Sequence, residues 1–569
     1  MPQRFALKST IFAAALCAFA LPGAAETPNP GAYLAARSAA IANDFEKSAT
    51  YYAKALAFDS KNPALMEGAI AAQISLGKSS KAVAIARLLV DAAPDNQIAN
   101  MVILSEAAKA ENYDLILETI DADHGVGPLV DGLLGAWAAA GQGQVNDALA
   151  RFDAVAESPG LKNFGLYHKA LALILVGDFE GAAEIFDSGA LPPTRRGIIA
   201  QAEVLSQLDR HDEAVELIDA IFGGQLDPGM QAMRDQLVAK EALPRSAVRS
   251  VQDGMAEVFF SVASALDGEA DDAYSLLYAR IAEELRPDHT DAHLQAAVFL
   301  ERLGQYDLAV EAYRAVPRDA GAFYAAEQGR ADALRRSGRE DAAIEVLKQL
   351  AISHADIPAV HVTLGDSLRA QEKYDAAIES YDRAIEAYGE PEAPQWAVYF
   401  ARAICHERMK NWDQAEADFR MALELQPDQP QVLNYLGYSY LEMQTNYEEA
   451  LEMIEKAVQQ RPNDGYITDS LGWGLYRVGR YDEAVVQMER AVELMAVDPV
   501  VNDHLGDVYW AVGRYREAEF QWRRALSFID PEDSQNEADP DRIRRKLEVG
   551  LDKVLAEEGA APLKVANGN

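Results

Sequence analysis

Cysteine is nearly absent from this sequence. Only Cys17 and Cys405 occur among 569 residues, so no disulfide framework can hold the fold together. No CxxC motif and no glycine-rich phosphate-cradling loop is found, which removes the common sequence marks of metal and nucleotide chemistry. Basic residues are scarce as well: 52 lysines and arginines face 90 acidic residues, a formal charge of -38 with few basic runs. A polyanion such as DNA would be repelled, and so would an anionic membrane surface. The excess suits a soluble protein that avoids self-association. Beyond the N-terminus no segment approaches eighteen uninterrupted apolar residues, so no membrane span is expected.

The chain has ample material for a packed core, since 49% of it is hydrophobic and 25% charged. Its N-terminus reads as an export signal. Arg4 and Lys8 supply positive charge, residues 11–21 form an apolar stretch, and Gly23, Ala24 and Ala25 are small residues ahead of Glu26. Cleavage after Ala25 would leave a mature periplasmic or secreted chain. Lipid attachment at Cys17 would need a small residue before the cysteine. Leu16 stands there instead, and the apolar run continues to Leu21, so Cys17 is expected to leave with the signal.

The rest of the chain repeats itself. Ala450, Ala484 and Ala518 are spaced by 34 residues, as are Ala457, Ala491 and Ala525. Leu436-Gly437, Leu471-Gly472 and Leu505-Gly506 precede them in step, and Ile454, Met488 and Trp522 fall four residues after the first alanine of each unit. Tyr440 and Tyr509 fill an aromatic slot after Leu-Gly, and Pro462 follows a second helix. The physical logic is that antiparallel helices approach closely only where glycine or alanine faces the neighbour, with large residues filling the gaps. The pattern resembles the tetratricopeptide repeat, which implies an all-α superhelical solenoid of helix-turn-helix units.

Upstream copies extend the array. Leu364-Gly365 with Ala377, Tyr381 and Ala384 is a full unit; Trp412, Ala415, Phe419 and Ala422 mark another second helix, as do Tyr306, Ala309 and Tyr313. Ser48, Tyr52 and Ala55 open the series, and residues 97–125 keep only helical periodicity. About thirteen units are expected: a degenerate array over 26–222, an irregular boundary or hinge over 223–250 containing Gly223, Gly224, Pro228, Gly229 and Pro244, and a second array over 251–530. After Asp539-Pro540, a last helix carrying Ile543, Leu547, Leu551, Val554 and Leu555 on one face should cap the stack, with the tail ending at residue 569.

Catalytic chemistry has no foothold. No nucleophile sits with a base, and no metal or cofactor ligand set stands out. His289 and His293 have i, i+4 spacing, but Pro287 places His289 at a turn. Cys405 on an apolar helix reads as a small buried residue, and Arg542, Arg544, Arg545 and Lys546 as the solvated face of the capping helix.

In tetratricopeptide proteins the first helix of each unit lines the concave groove, so the resemblance makes Asn434, Tyr438, Tyr466, Asp469, Trp473, Tyr476, Asp503, Asp507 and Trp510 the candidate partner-binding set. Aromatics beside hydrogen-bonding groups suit protein recognition; the same aromatics would also serve packing between repeats. The lysines and asparagines with which some members clamp C-terminal carboxylates are replaced here by aspartate and aromatics. The stretch from Asp464 to Trp473, with Asn502 to Asp507, is similar to long exported bacterial tetratricopeptide proteins, among them adaptors of carboxyl-terminal processing proteases. That implies a non-catalytic, protein-binding scaffold or adaptor among cell-envelope proteins. An activating subunit of a periplasmic protease, or a component of an envelope export or assembly machine, are the alternatives.

Overall fold

A computed structural model describes residues 30–223, 226–530, 538–560 and 563. The export signal, its cleavage after Ala25, Cys17 and Gly224 lie outside the described residues. Within them the chain is all-α: thirty-one α-helices, two short 3-10 turns and no strand. Six helix pairs succeed one another from Pro30 to Phe222, and seven more from Thr290 to Phe528.

Each pair is held as its repeat pattern requires. A side chain on Gly437 would collide with Ile454, one on Gly472 with Met488, and one on Gly506 with Trp522. The glycine of the first helix therefore admits the bulky residue of the second. Gly365 admits Tyr381 in the same way, and Gly68 admits Tyr52 from the second helix of the preceding pair. Ala450, Ala484, Ala518, Ala457, Ala491 and Ala525 are all fully buried. Residues 97–125, which showed only periodicity, form an ordinary pair, Gln97–Lys109 and Tyr113–Asp121. Their first helix buries the polar Asn100 and Ser105, and this obscures the apolar signature.

The chain divides into two compact units, Met1–Val346 and Leu347–Asn569. The first departs from a plain stack. After Pro228–Val238 and a helix-free stretch to Ser250, two long helices, Val251–Leu266 and Asp272–Leu285, turn back onto the array. Val251–Leu266 packs on Pro128–Gly141 and Lys162–Val176, and Asp272–Leu285 on Pro63–Ser75 and Gln97–Lys109. All four are first helices of their pairs. Residues 251–285 thus belong with the N-terminal unit, and the division falls at Val346 rather than in 223–250. Gly254 makes the approach possible, since a Cβ there would meet the Trp137 ring at 2.4 Å.

The second unit runs from Pro358–Ala370 to Tyr515–Phe528 in five pairs and ends in two short helices, Pro540–Val549 and Leu551–Glu557. The expected single capping helix is broken at Gly550, whose φ of 82° is a left-handed conformation that glycine adopts without strain. The Trp510 ring lies against that glycine. Ile543, Leu551 and Val554 are buried beneath the cap.

Candidate functional site: the groove of the C-terminal unit

The first helices of successive pairs in the second unit line a groove of about 970 Å³. Pro430–Glu442 contributes Asn434, Tyr438 and Glu442, spaced by four so that they share one face. Gly465–Arg477 contributes Tyr466, Asp469 and Ser470. Local signals place these helices: Asp464 caps one by accepting from the Ile467 N–H at 3.3 Å, and Asp498 caps the next by accepting from Val501 at 3.0 Å. Gly465 lets its helix start against Met495, and the adjoining Tyr466 stands 63% exposed. Asn434 Oδ1 is buried yet has no hydrogen-bond partner among the described residues.

The nine sequence candidates divide in two. Asn434, Tyr438, Tyr466 and Asp469 line the groove, Asp469 being largely buried there against His504. Trp473, Tyr476, Asp503, Asp507 and Trp510 are engaged within the protein. Trp473 is sandwiched, its ring 4.1 Å from His504 and 4.9 Å from Tyr476, and its indole N–H donates to Glu442. Tyr476 is buried. Trp510 packs on Tyr515 and Trp522 and donates to Asp552.

Asp503 and Asp507 are claimed by the cap. Lys546, fully buried, donates to Asp503 at 2.8 Å and to Asp507 at 2.6 Å. The Trp522 indole also donates to Asp507, and Arg542 lies 3.5 Å from it. Arg544 and Arg545 lie on the solvated face as expected, whereas Lys546 is buried and Arg542 half-buried, because two buried carboxylates on Pro499–Ala511 need a buried cation. Burial raises the Asp503 pKa against the pull of Lys546. His504 is the counter-case: burial opposes its charging, but the Asp469 carboxylate 3.0 Å away, with Asp503 and Asp507, outweighs that and raises its pKa.

Trp412, Tyr435, Glu442 and Met443 also line the groove and were missed by sequence reasoning. Glu442 was detectable as the next step of the 434/438 stripe. The others depend on tertiary placement.

The remaining titratable candidates are spoken for. His289 is the N-cap of Thr290–Arg302 and faces Glu257, whereas His293 faces Glu283; no group of three or more metal-ligating side chains occurs among the described residues. Burial pushes the Cys405 thiol up to about 11, far from a nucleophile at neutral pH. No described helix is long and apolar enough to cross a membrane.

The tetratricopeptide repeat family model matches residues 329–390, 362–430 and 400–465, the last two bearing the groove's first wall. Over these residues the chain is a tetratricopeptide-repeat protein. Proteins of this family bind protein or peptide partners and are typically non-catalytic scaffolds. Among curated relatives, this repeat protein is 28% identical over 159 residues to TPR repeat-containing protein PA4667 of Pseudomonas aeruginosa, a match covering 28% of this chain and 26% of that one. It thus spans about a quarter of that relative's length. Among solved structures, a tetratricopeptide repeat protein from Parabacteroides merdae is 15% identical with a TM-score of 0.37, covering 45% of this chain and 97% of that one. The APC/C hetero-tetramer Cut9-Hcn1 is 13% identical with a TM-score of 0.36, covering 92% and 96%.

Proposed function

We propose that this repeat protein is a periplasmic, non-catalytic scaffold or adaptor that captures segments of cell-envelope proteins in the groove of its C-terminal unit. The observation that carries the reading is that groove itself, with Tyr466 turned outward and Met443 47% exposed. An exposed aromatic anchor beside polar and acidic side chains is the chemistry of a recognition hot spot. The lining is acidic: Glu407, Glu442, Asp469, Asp498 and Asp530 outnumber Arg408 and Lys410. A captured segment therefore carries lysine or arginine. Export is supported by the charged start, the apolar stretch of 11–21 and the small residues before Glu26.

The test is capture of partners from envelope extracts by the full chain and by a triple variant, Asn434→Ala, Tyr438→Ala and Tyr466→Ala. Partners held by the wild type should be lost from the variant while its melting is unchanged. Retention of every partner sinks the groove assignment. If a captured partner is a protease, turnover with and without the repeat protein separates holding from activation. A processed N-terminus at Glu26 in an envelope fraction is expected; an intact cytoplasmic chain contradicts export.

A further inference from the structure

The first unit contains a second cavity, of about 730 Å³, where Val251–Leu266 passes the first helices Lys162–Val176 and Arg195–Gln207. Its size falls within the range of small-molecule pockets. Phe164, Phe186, Leu191, Pro192 and Phe260 give it largely aromatic and apolar walls. At its floor lies a cluster of charged groups whose protonation states can be read from the hydrogen bonds.

Glu257, almost wholly buried, accepts from Tyr167 Oη at 2.9 Å, from Arg196 Nε and Nη2 at 3.1 and 2.6 Å, and faces His289 Nε2 at 3.1 Å. A carboxyl group accepting from this many donors is an ionised carboxylate. His289 Nδ1 accepts the Ala292 N–H at 3.2 Å, so that nitrogen carries no proton and the ring is neutral, with Nε2–H donating to Glu257. Burial, together with the neighbouring Arg196, lowers the His289 pKa in agreement. Arg196 is the cation bonded to Glu257, and its Nη1 also reaches Asp291 at 3.0 Å, while the neighbouring Arg286 is turned to Asp288. Two carboxylates, Glu257 and Asp291, therefore share one guanidinium, leaving one negative charge in excess.

An anionic ligand finds no partner here. Arg196 is committed through Nε, Nη1 and Nη2, and Arg195 is turned to Asp227. The start of Arg195–Gln207 is a source of N–H donors, but Thr194 already caps the Gly197 N–H. Asp187, the other charged lining group, is paired with Arg210. Aromatic faces and an uncompensated carboxylate together favour a cation with an apolar body.

We propose that this cavity binds a small amphipathic ammonium, an arylalkylamine or alkylamine in its charged form, with the apolar body between Phe164, Phe186 and Phe260 and the ammonium at Asp291. The site is independent of the peptide groove, which lies in the other unit.

The experiment is calorimetric titration of the full chain with three probes sharing one body: 4-phenylbutylammonium, 4-phenylbutanol and 4-phenylbutyrate. The ammonium should bind at least tenfold tighter than the alcohol, and the carboxylate weakest. Ala265→Trp and Ser264→Trp, both at exposed lining positions, plug the mouth without changing net charge and should each abolish binding with melting unaltered. Asp291→Asn should bring the ammonium to the alcohol's affinity and leave the alcohol unchanged. A carboxylate bound as tightly as the ammonium, ammonium binding that survives both plugs, or no binding of any probe overturns the proposal.

Discussion

The two units treat the faces of their first helices in opposite ways. In the first, the chain's own helices 251–285 cover that face: Gly254 rests on Trp137, Tyr167 and Arg196 grip Glu257, and Arg280 donates to the Ser75 carbonyl. In the second, the equivalent face is open among the described residues over Asn434, Tyr438 and Tyr466 and is closed at its far end, where Lys546 enters between Asp503 and Asp507. One repeat design thus serves to bury an internal segment in one half and to present a surface in the other. The difference lies in side chains. The filled face is built around Trp137 and His168, whose pKa burial lowers to about 4, so that it stays neutral and accepts the Trp137 indole N–H at 3.1 Å. The open face keeps exposed tyrosine and acidic groups.

The largest effect expected on this contrast comes from Lys546→Met. It leaves two buried carboxylates without their lysine and should destabilise the terminal pair by about 3–5 kcal/mol, read as faster amide exchange across Pro499–Ala511 and Tyr515–Phe528. Adding Asp503→Asn and Asp507→Asn should restore part of the loss; no restoration would mean that the lysine acts through packing alone. Gly254→Val comes next. Its side chain must displace Trp137, costing about 1–3 kcal/mol and loosening Val251–Leu266, with partner capture by the second unit unchanged. Loss of capture would show that the halves are not functionally separate.

Tyr466→Ala touches an exposed residue, so stability should stay within about 0.5 kcal/mol. Partner affinity should nevertheless fall about tenfold, near 1.4 kcal/mol. An equal loss of stability and affinity would make Tyr466 a packing residue. The smallest effect is a pH dependence of the second unit. His504 has a raised pKa in the folded state, so its contribution is fully present below the ordinary value of 6.5 and is lost as pH rises through the raised one. Denaturation of wild type and His504→Phe over that window should converge at high pH. A wild type that gained stability with rising pH relative to the variant would reverse the assigned sign.

Much of this arrangement is legible in the residues. The 34-residue spacing of Ala450, Ala484 and Ala518, with the glycines facing Ile454, Met488 and Trp522, states which helices pair and which side chains fill the gaps. Four groove residues follow from the same register. Trp473 and Tyr476 share that register but stack on each other and on the next repeat, whereas Asp503, Asp507 and Trp510 face the cap: Asp507 meets Lys546 across 39 positions and Trp510 meets Asp552 across 42. Helical periodicity assigns a residue to a face and carries no information on what later covers that face.

The same limit separates the two determinants of this protein. Local spacing alone determined an all-α repeat array, its pairing and the polar or aromatic character of each first helix, because those depend on neighbours one repeat away. Only the tertiary structure decided that 251–285 fills the first array, that Gly550 breaks the cap and that Lys546 is buried. These depend on long-range burial, where a glycine's missing Cβ or an unpaired carboxylate matters only once a distant helix arrives to meet it.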